Sequence, residues 1–294
     1  MPGAKATLDA LLAQTRPPDF VVVVEHASGD GSAELIREAY PAIEVVEVRE
    51  NRGPGAGFNT VIRALLERDA DAVLVLTDDL ELAPEALEHL AARLEAAPEL
   101  GAAGPLVAHQ DDRDRVFYAG GRVRRHNWSL EFHDQPSELA EWKGSPPHPS
   151  DFLEIGGLLM RSAAVRASGV FDERFYYWAD DVDYTLRMAS LGWKLECVPG
   201  AVAWQHLASP PWYLIVRNSL GVISRNAPRR YLARELVRTA YWLARDALRP
   251  HGPPRETLRA RGRGLVDFCR GRWGPPPEHL AAVRRTLPSP QQGE

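Results

Sequence analysis

The sequence predicts an α/β fold, a mostly parallel sheet covered by helices on both faces and followed by a helical extension. Three observations carry this. Short apolar runs at 20–24, 44–48 and 72–76, rich in β-branched residues, read as strands buried on both sides. Helix-like segments alternate with them, the pattern of parallel strands joined by crossover helices. A polar cluster follows each run: Glu25-His26, Asn51-Arg52 and Thr77-Asp78-Asp79. In such sheets ligands bind at the carboxyl ends of the strands.

The elements follow in order. Residues 5–15 read as a helix, with Leu8, Leu11 and Leu12 at helical spacing and Arg16-Pro17-Pro18 as its stop. The strand at 20–24 leads through the turn Ser28–Ser32 into a helix at 32–39, ended by Pro41. After the strand at 44–48 comes a glycine-rich loop, 51–57, then a helix at 57–68. The strand at 72–76 precedes a helix at 84–96, opened by Pro84. Residues 109–150 are irregular and rich in Pro, His and Trp, which reads as loops with a short hairpin. Order returns at 151–160, with a helix at 162–168. A helix from Asp180 to Ser190 is closed by Gly192, and acidic residues in its first turn suit the helix dipole. Two short strands, 194–198 and 201–204, precede His206. Residues 212–248 read as one or two helices, with a further short helix near 278–286.

Composition narrows the function. The 294 residues are 45% hydrophobic, enough for a sizeable core. The two cysteines, Cys197 and Cys269, lie far apart and fit a reducing compartment. The opening residues lack the pattern of a secretory signal, so the sequon Asn127-Trp128-Ser129 reads as chance. No apolar run is long enough for a transmembrane helix. The net charge of −5 is unevenly shared. Residues 1–216 carry 34 acidic against 19 basic side chains, and residues 217–294 carry 6 against 16. The acidic body excludes nucleic acid as a partner. The basic end suits an anionic surface, or equally a solvated helical face.

Four features could carry chemistry. Asp78-Asp79, straight after a buried strand, offers the hard oxygen ligands that Mg²⁺ or Mn²⁺ shares with substrate phosphates, and reads equally as an acidic turn. The loop Asn51–Gly57 lets backbone approach a phosphate closely, although its glycines match neither a P-loop nor GxGxxG, and a structural turn is the commoner use. Asp180-Asp181 follows the aromatic run Phe175–Trp178. A carboxylate there serves as a helix cap, as a general base whose basicity an apolar wall raises, or as both. His206 follows a strand, where a lone histidine is usually structural.

Together these features resemble the family-2 glycosyltransferases with the GT-A fold, in the bacterial branch that builds polysaccharide and cell-wall glycans, rhamnosyl- or galactofuranosyltransferase-like. The matching stretches are VVVVEHASGDGS at 21–32, ENRGPGAGFN at 50–59, VLVLTDDLELAP at 73–84, the segment 156–193 from GGLLMRS to ASLGW, and VPGAVAWQH at 198–206. They span about residues 4–225. The resemblance implies a Rossmann-like sheet with a nucleotide half, 1–108, an acceptor half, 109–210, and a basic helical extension, 211–294. It implies that Glu25, His26, Arg52, Gly53, Thr77, Asp78, Gly157 and Trp178 meet the nucleotide-sugar. Asp78 is expected to face the ribose. Asp79 is expected on a divalent metal, Mn²⁺ or Mg²⁺, whose sphere His206 completes. Asp181, beside Asp180, takes the place of the catalytic base in an inverting displacement. The implied partners are a UDP-, dTDP- or GDP-sugar and a glycan or lipid-linked acceptor. A cytoplasmic location is expected, and the basic composition of the C-terminal helices suggests peripheral contact with the inner face of the membrane, or packing of those helices on the catalytic domain.

The sequence departs from the family in three places. Members usually open with an apolar strand before the helix matching 5–15, whereas this chain begins inside that helix. A strand absent from the sheet centre is expected to expose two edges. A misassigned start, a cut chain or a substitute strand would each account for it. Glu25-His26 stands where Asp-Asn or Asp-Asp is common, which opens the choice of base. Thr77 replaces an acidic or Asn residue, leaving more of the metal to Asp79. The competing functions are a non-catalytic nucleotide-sugar-binding protein and a sugar nucleotidyltransferase.

Overall fold

The computed structural model describes residues 2–132, 137–206, 209–249 and 252–284. The first half runs α1 (Pro2–Leu12), β1 (Val22–Glu25), α2 (Ser32–Ala39), β2 (Glu44–Glu47), α3 (Pro54–Leu66), β3 (Ala72–Val75), β4 (Leu80–Leu82), α4 (Ala86–Ala96) and β5 (Leu100–His109). The middle holds β6 (Arg115–Tyr118), β7 (Gly121–Arg124), β8 (Ser129–Phe132), β9 (Ser137–Glu138), α5 (Leu139–Trp142), β10 (His148–Pro149), β11 (Leu158–Arg161), α6 (Ser162–Ser168), α7 (Asp180–Ser190) and β12 (Lys194–Gln205). Four helices close the chain: α8 (Trp212–Asn226), α9 (Arg229–Leu248), α10 (Arg255–Cys269) and α11 (Glu278–Ala281). The expected helix near 278–286 is this last one; residues beyond 284 lie outside the described region.

The main sheet is mixed. Its spine is β10-β12-β5-β11-β3. β12 lies parallel to β5, and β11 inserts antiparallel between β5 and β3. The two short strands expected at 194–198 and 201–204 are one strand, β12, which stays continuous through a register shift between Val198 and Val202. Two core clusters cover the opposite faces. Ile62, Val73, Leu158, Met160 and Tyr184 pack under α3 and α7, and Leu80, Leu90, Leu94 and Leu100 pack under α4. Each such side chain contributes about 1.5–3 kcal/mol on burial.

β1 and β2 pair in parallel but form a sheet of their own. Among the described residues no strand lies between β1 and β3. In its place is a cavity of about 810 Å³, lined by Val22–Val24 on one side, Ala72, Leu74 and Val75 on the other, and Leu8, Leu11 and Phe58 across its ends. β1 is therefore only half-buried along its length, unlike the doubly buried strand its composition predicts.

The predicted glycine-rich loop is largely helix. α3 starts at Pro54, and proline suits a first helical position because its missing N–H has no partner there anyway. The irregular 109–150 region holds the expected hairpin, β7 with β8. No described helix is long and apolar enough to cross a membrane.

Candidate active site

The acidic pair sits where β3 ends and turns back. Leu76 and Thr77 leave the strand, Asp78-Asp79 form the turn, and β4 runs antiparallel to β12. The register pairs Leu80 with Gln205, so Asp79 and His206 are the next residues along the two chains. Directly opposed residues of such ladders have Cβ atoms about 4.5–5.5 Å apart. The Gln205 amide donates to Asp79 Oδ1 (2.9 Å) and to Thr77 Oγ1 (3.0 Å), fixing the turn from behind. Asp78 is exposed, and α1 begins against it: a Cβ on Gly3 would lie 2.9 Å from the Asp78 carbonyl oxygen.

No cluster of three or more His, Cys, Asp or Glu side chains suited to a metal ion forms among the described residues. Asp79 with His206 nonetheless fits Mg²⁺ or Mn²⁺. These ions take one or two protein ligands and fill the remaining positions with phosphate oxygens and water. His206 is exposed, with Nδ1 3.5 Å from the Asp111 carboxylate.

The second acidic pair opens α7. The chain reaches it through Tyr176, Trp178 and Ala179, all with positive φ (68°, 72° and 64°), a conformation costly for side chains of this size. Asp180 is buried, and burial beside the Asp181 carboxylate pushes its pKa up to about 8. Asp181 is half-buried and also shifted upward by burial. Its Oδ1 accepts from the Val182 N–H (2.7 Å) and its Oδ2 from the Ile155 N–H (3.1 Å). Asp183, buried with Asn226 as donor, belongs to the packing of α7 against α8.

Tyr177 links the two pairs. Its pKa is raised by burial and further by the carboxylates of Asp79, Asp180 and Asp181, against the opposing charge of Arg284.

The other expected residues divide. Glu25 accepts from the N–H groups of Ala27 and Ser28 and from the Ser28 hydroxyl, so its carboxylate shapes the turn after β1. His26 is half-buried, its pKa lowered by burial, beside Gly57 in the first turn of α3. Glu25, His26, Thr77 and Asp78 all line the large cavity, whereas Asp79, Asp180 and Asp181 do not. Arg52 pairs with Glu173 at 2.6 Å. Gly53 (φ 89°) is held by a close approach, since a Cβ there would stand 2.0 Å from the Tyr176 carbonyl oxygen. A Cβ on Gly55 would lie 3.1 Å from Asp180 Oδ2, which places the start of α3 against the start of α7. Gly157 (φ 78°) turns against Pro105 and Leu82 behind the Asp78-Asp79 turn. Trp178 packs partly into the cluster of Phe175, Val182 and Val222.

Sequence reasoning missed three residues. Gln205 was hidden because its partners are 126 and 128 positions away. Arg217 and Asn218 on α8 are fully buried. The Asn218 amide lies within hydrogen-bonding distance of the carbonyls of Phe175, Tyr177 and Trp178 (3.1, 3.0 and 2.8 Å). Arg217 donates to Phe175 O (2.9 Å) and Gly274 O (2.6 Å). Their signal was present: a polar pair at i+4 from Tyr213 and Leu214, on the apolar face of a helix.

The sequence model described as "Glycosyl transferase family 2" matches residues 2–148. The chain is similar to the N-acetylglucosaminyl-diphospho-decaprenol L-rhamnosyltransferase of Mycobacterium tuberculosis, 25% identical over 304 positions that cover 92% of this chain and 95% of the relative. It is also similar to the galactofuranosyltransferase GlfT1 of the same organism, 30% identical over 63% of this chain and 60% of that one. Among solved structures, a mannosyltransferase from Pyrobaculum calidifontis in complex with GDP-Man and Mn²⁺ superposes with a TM-score of 0.54 at 20% identity, covering 92% of this chain and 83% of that one. GalNAc-T7 with UDP, GalNAc and Mn²⁺ gives 0.54 at 14% identity, over 90% of this chain and 52% of that one. The two structures share the fold, a glycosyltransferase α/β architecture. With its sequence match, its curated relatives and this fold in agreement, the chain belongs to glycosyl transferase family 2.

Proposed function

We propose that this glycosyltransferase inverts the anomeric centre, moving a sugar from a nucleoside-diphosphate donor to a hydroxyl of a lipid-linked glycan, with a divalent metal. What supports the reading is the geometry of two carboxylates: Asp181, fixed by the Ile155 and Val182 N–H groups at the start of α7, and Asp79, fixed by the Gln205 amide at the turn after β3. Asp181 serves as the base. It is half-buried and its two oxygens are fixed by backbone donors, each with a lone pair left for an acceptor hydroxyl. Asp180, with a pKa near 8, is protonated at neutral pH and leaves that role to its neighbour.

The acceptor oxygen bonds to the anomeric carbon from the face opposite the diphosphate. The bond from that carbon to the diphosphate oxygen breaks, and the hydroxyl proton passes to Asp181. General-base assistance of this kind contributes roughly 10²–10⁴-fold. Asp79 and His206 would hold Mn²⁺ or Mg²⁺, which would neutralise charge on the leaving diphosphate. His26 and Asp78 border the base and ribose end, the donor being a UDP-, dTDP- or GDP-sugar. Residues 1–108 form the donor half, 109–210 the acceptor half, and 211–294 an extension whose α8 supports the catalytic loop. The decaprenyl-linked acceptor named for the mycobacterial relative supports a lipid-linked acceptor, met by a cytoplasmic enzyme at the membrane face.

The test is nucleoside-diphosphate release across a donor panel with a short polyprenyl-diphosphate glycan. Release is expected to need Mn²⁺ or Mg²⁺ and to fall about a hundredfold or more in Asp79→Ala. Metal-independent turnover untouched by that change would refute the metal role. The cavity beside β1 favours a second reading, a nucleotide-sugar-binding protein without turnover. Calorimetric donor binding with no release by the wild-type chain would establish it.

A further inference from the structure

α9 has the opposite construction to the helices around it. None of its twenty residues is buried. Its inner side is attached: Tyr231 and Leu232 pack beside Phe175 and Val222, and the Tyr231 hydroxyl donates to the Arg125 carbonyl (3.0 Å). Near its other end Asp246 accepts from Arg261 of α10 (2.9 Å).

The outer side has its own composition. Arg234, Val237, Arg238, Tyr241, Ala244 and Leu248 are all exposed and recur at helical spacing. Val237, Tyr241 and Leu248 are 71%, 60% and 84% exposed, and they make up three of the eight large exposed hydrophobic side chains among the described residues. Both acids of α9 are turned inward and paired, Glu235 with Arg238 and Asp246 with Arg245 and Arg261. The outward face therefore joins an apolar stripe to Arg234 and to Arg238, the latter paired with Glu235. Arg229, Arg230 and Arg249 extend the positive charge past both ends.

We propose that this face of α9 lies in the headgroup layer of an anionic bilayer, with Val237, Tyr241 and Leu248 as the inserted stripe. Charge chooses the occupant. A symmetric contact with a second copy would set arginines against arginines. Nucleic acid has no use for the apolar stripe and meets repulsion from the acidic body, residues 1–216. An interfacial helix needs apolar residues on one face and cations toward anionic headgroups, the pattern present here. The contact deepens the reading of a lipid-linked acceptor and rests on it for its purpose. The first turns of α9 share a cluster with Trp178, two residues from Asp180, so α9 packs next to the loop that leads into α7.

The experiment is flotation of the full chain with phosphatidylcholine vesicles, with and without phosphatidylglycerol, at low and high salt. The chain is expected to float with the anionic vesicles and to be released by salt. Val237→Glu with Tyr241→Glu should lower partitioning about tenfold or more, and Arg234→Gln about fivefold. These side chains are exposed, so melting curves should match the wild type; should the double variant unfold, Arg234→Gln decides alone. Failure of the wild type to float, or variants that float as it does, overturns the proposal. So does a lipid-free dimer that the double variant converts to monomer. Release with a soluble short-chain acceptor keeps the two readings apart: the α9 variants should retain it, and a wild type that floats without turnover contradicts only the assigned reaction.

Discussion

Around β1 and β3 the chain leaves a cavity of about 810 Å³, whereas the segment Phe175–Ala179 is held by Arg217 and Asn218 of α8. On the cavity side Glu25 and His26 hang on a two-stranded sheet detached from the main one, while Thr77 and Asp78 follow β3 of the main sheet. On the transfer side Asn218 serves three loop carbonyls, Gly53 abuts a fourth, and three residues keep positive φ under that grip. The contrast suits two tasks. A nucleotide can be held by contacts that adjust around it. A base must stay aligned on a hydroxyl, where a displacement of about 1 Å can cost about a hundredfold in rate. Strained loops of this kind persist only where surrounding structure over-determines them.

Ways to break that contrast run from large effects to small. Asp181→Asn should lower turnover roughly 10²–10⁴-fold in steady-state assays while donor KM changes little. The wild-type rate should climb with pH through a midpoint above the ordinary carboxylate range, because burial raises the Asp181 pKa. Asn218→Ala should reduce kcat about a hundredfold with donor binding retained, since it frees the strained loop; equal losses in both would make Asn218 a general structural residue. Gln205→Ala should raise the metal concentration for half-maximal rate about 10–100-fold, read from a Mn²⁺ titration.

Stability should show the same contrast. Val222, fully buried in the cluster with Phe175 and Ala179, should cost about 1–3 kcal/mol as Ala in urea denaturation. Val24, which lines the cavity, should cost less than about 1 kcal/mol. The pH dependence of stability isolates Asp180. Below the ordinary carboxylate range it is protonated in both the folded and unfolded chain. As pH rises toward about 8 the unfolded chain ionises first, so this group's contribution falls across that window. Asp180→Asn should therefore raise Tm above pH 8, by roughly 2–4 °C for each kcal/mol recovered.

Much of this architecture was legible in the sequence, because local patterns carried it. Val22–Val24 and Ala72–Val75 announce strands by composition, Pro84 and Asp180 mark helix starts, and Asp78-Asp79 reads directly as an acidic turn after a strand. What stayed hidden depends on distant pairing. β12 passes through Pro199-Gly200, which reads as a break between two strands, yet pairing with β5 on both sides keeps it one. Pro54 opens α3 inside an apparent loop because its neighbouring glycines lower helix propensity, which packing against Asp180 and Tyr176 overrides. Gln205 and Asn218 act on backbone and carboxylates far away in sequence, and nothing local separates them from other polar residues.

The division of labour between the halves can be measured in one experiment, calorimetric titration of the donor nucleotide with Mn²⁺ into wild type, Asp79→Asn and Asp181→Asn, beside turnover of each. The predicted result is crossed: Asp79→Asn loses metal-dependent affinity, while Asp181→Asn binds as the wild type does and does not turn over. Normal turnover by Asp181→Asn, or equal loss of affinity in both variants, would contradict it.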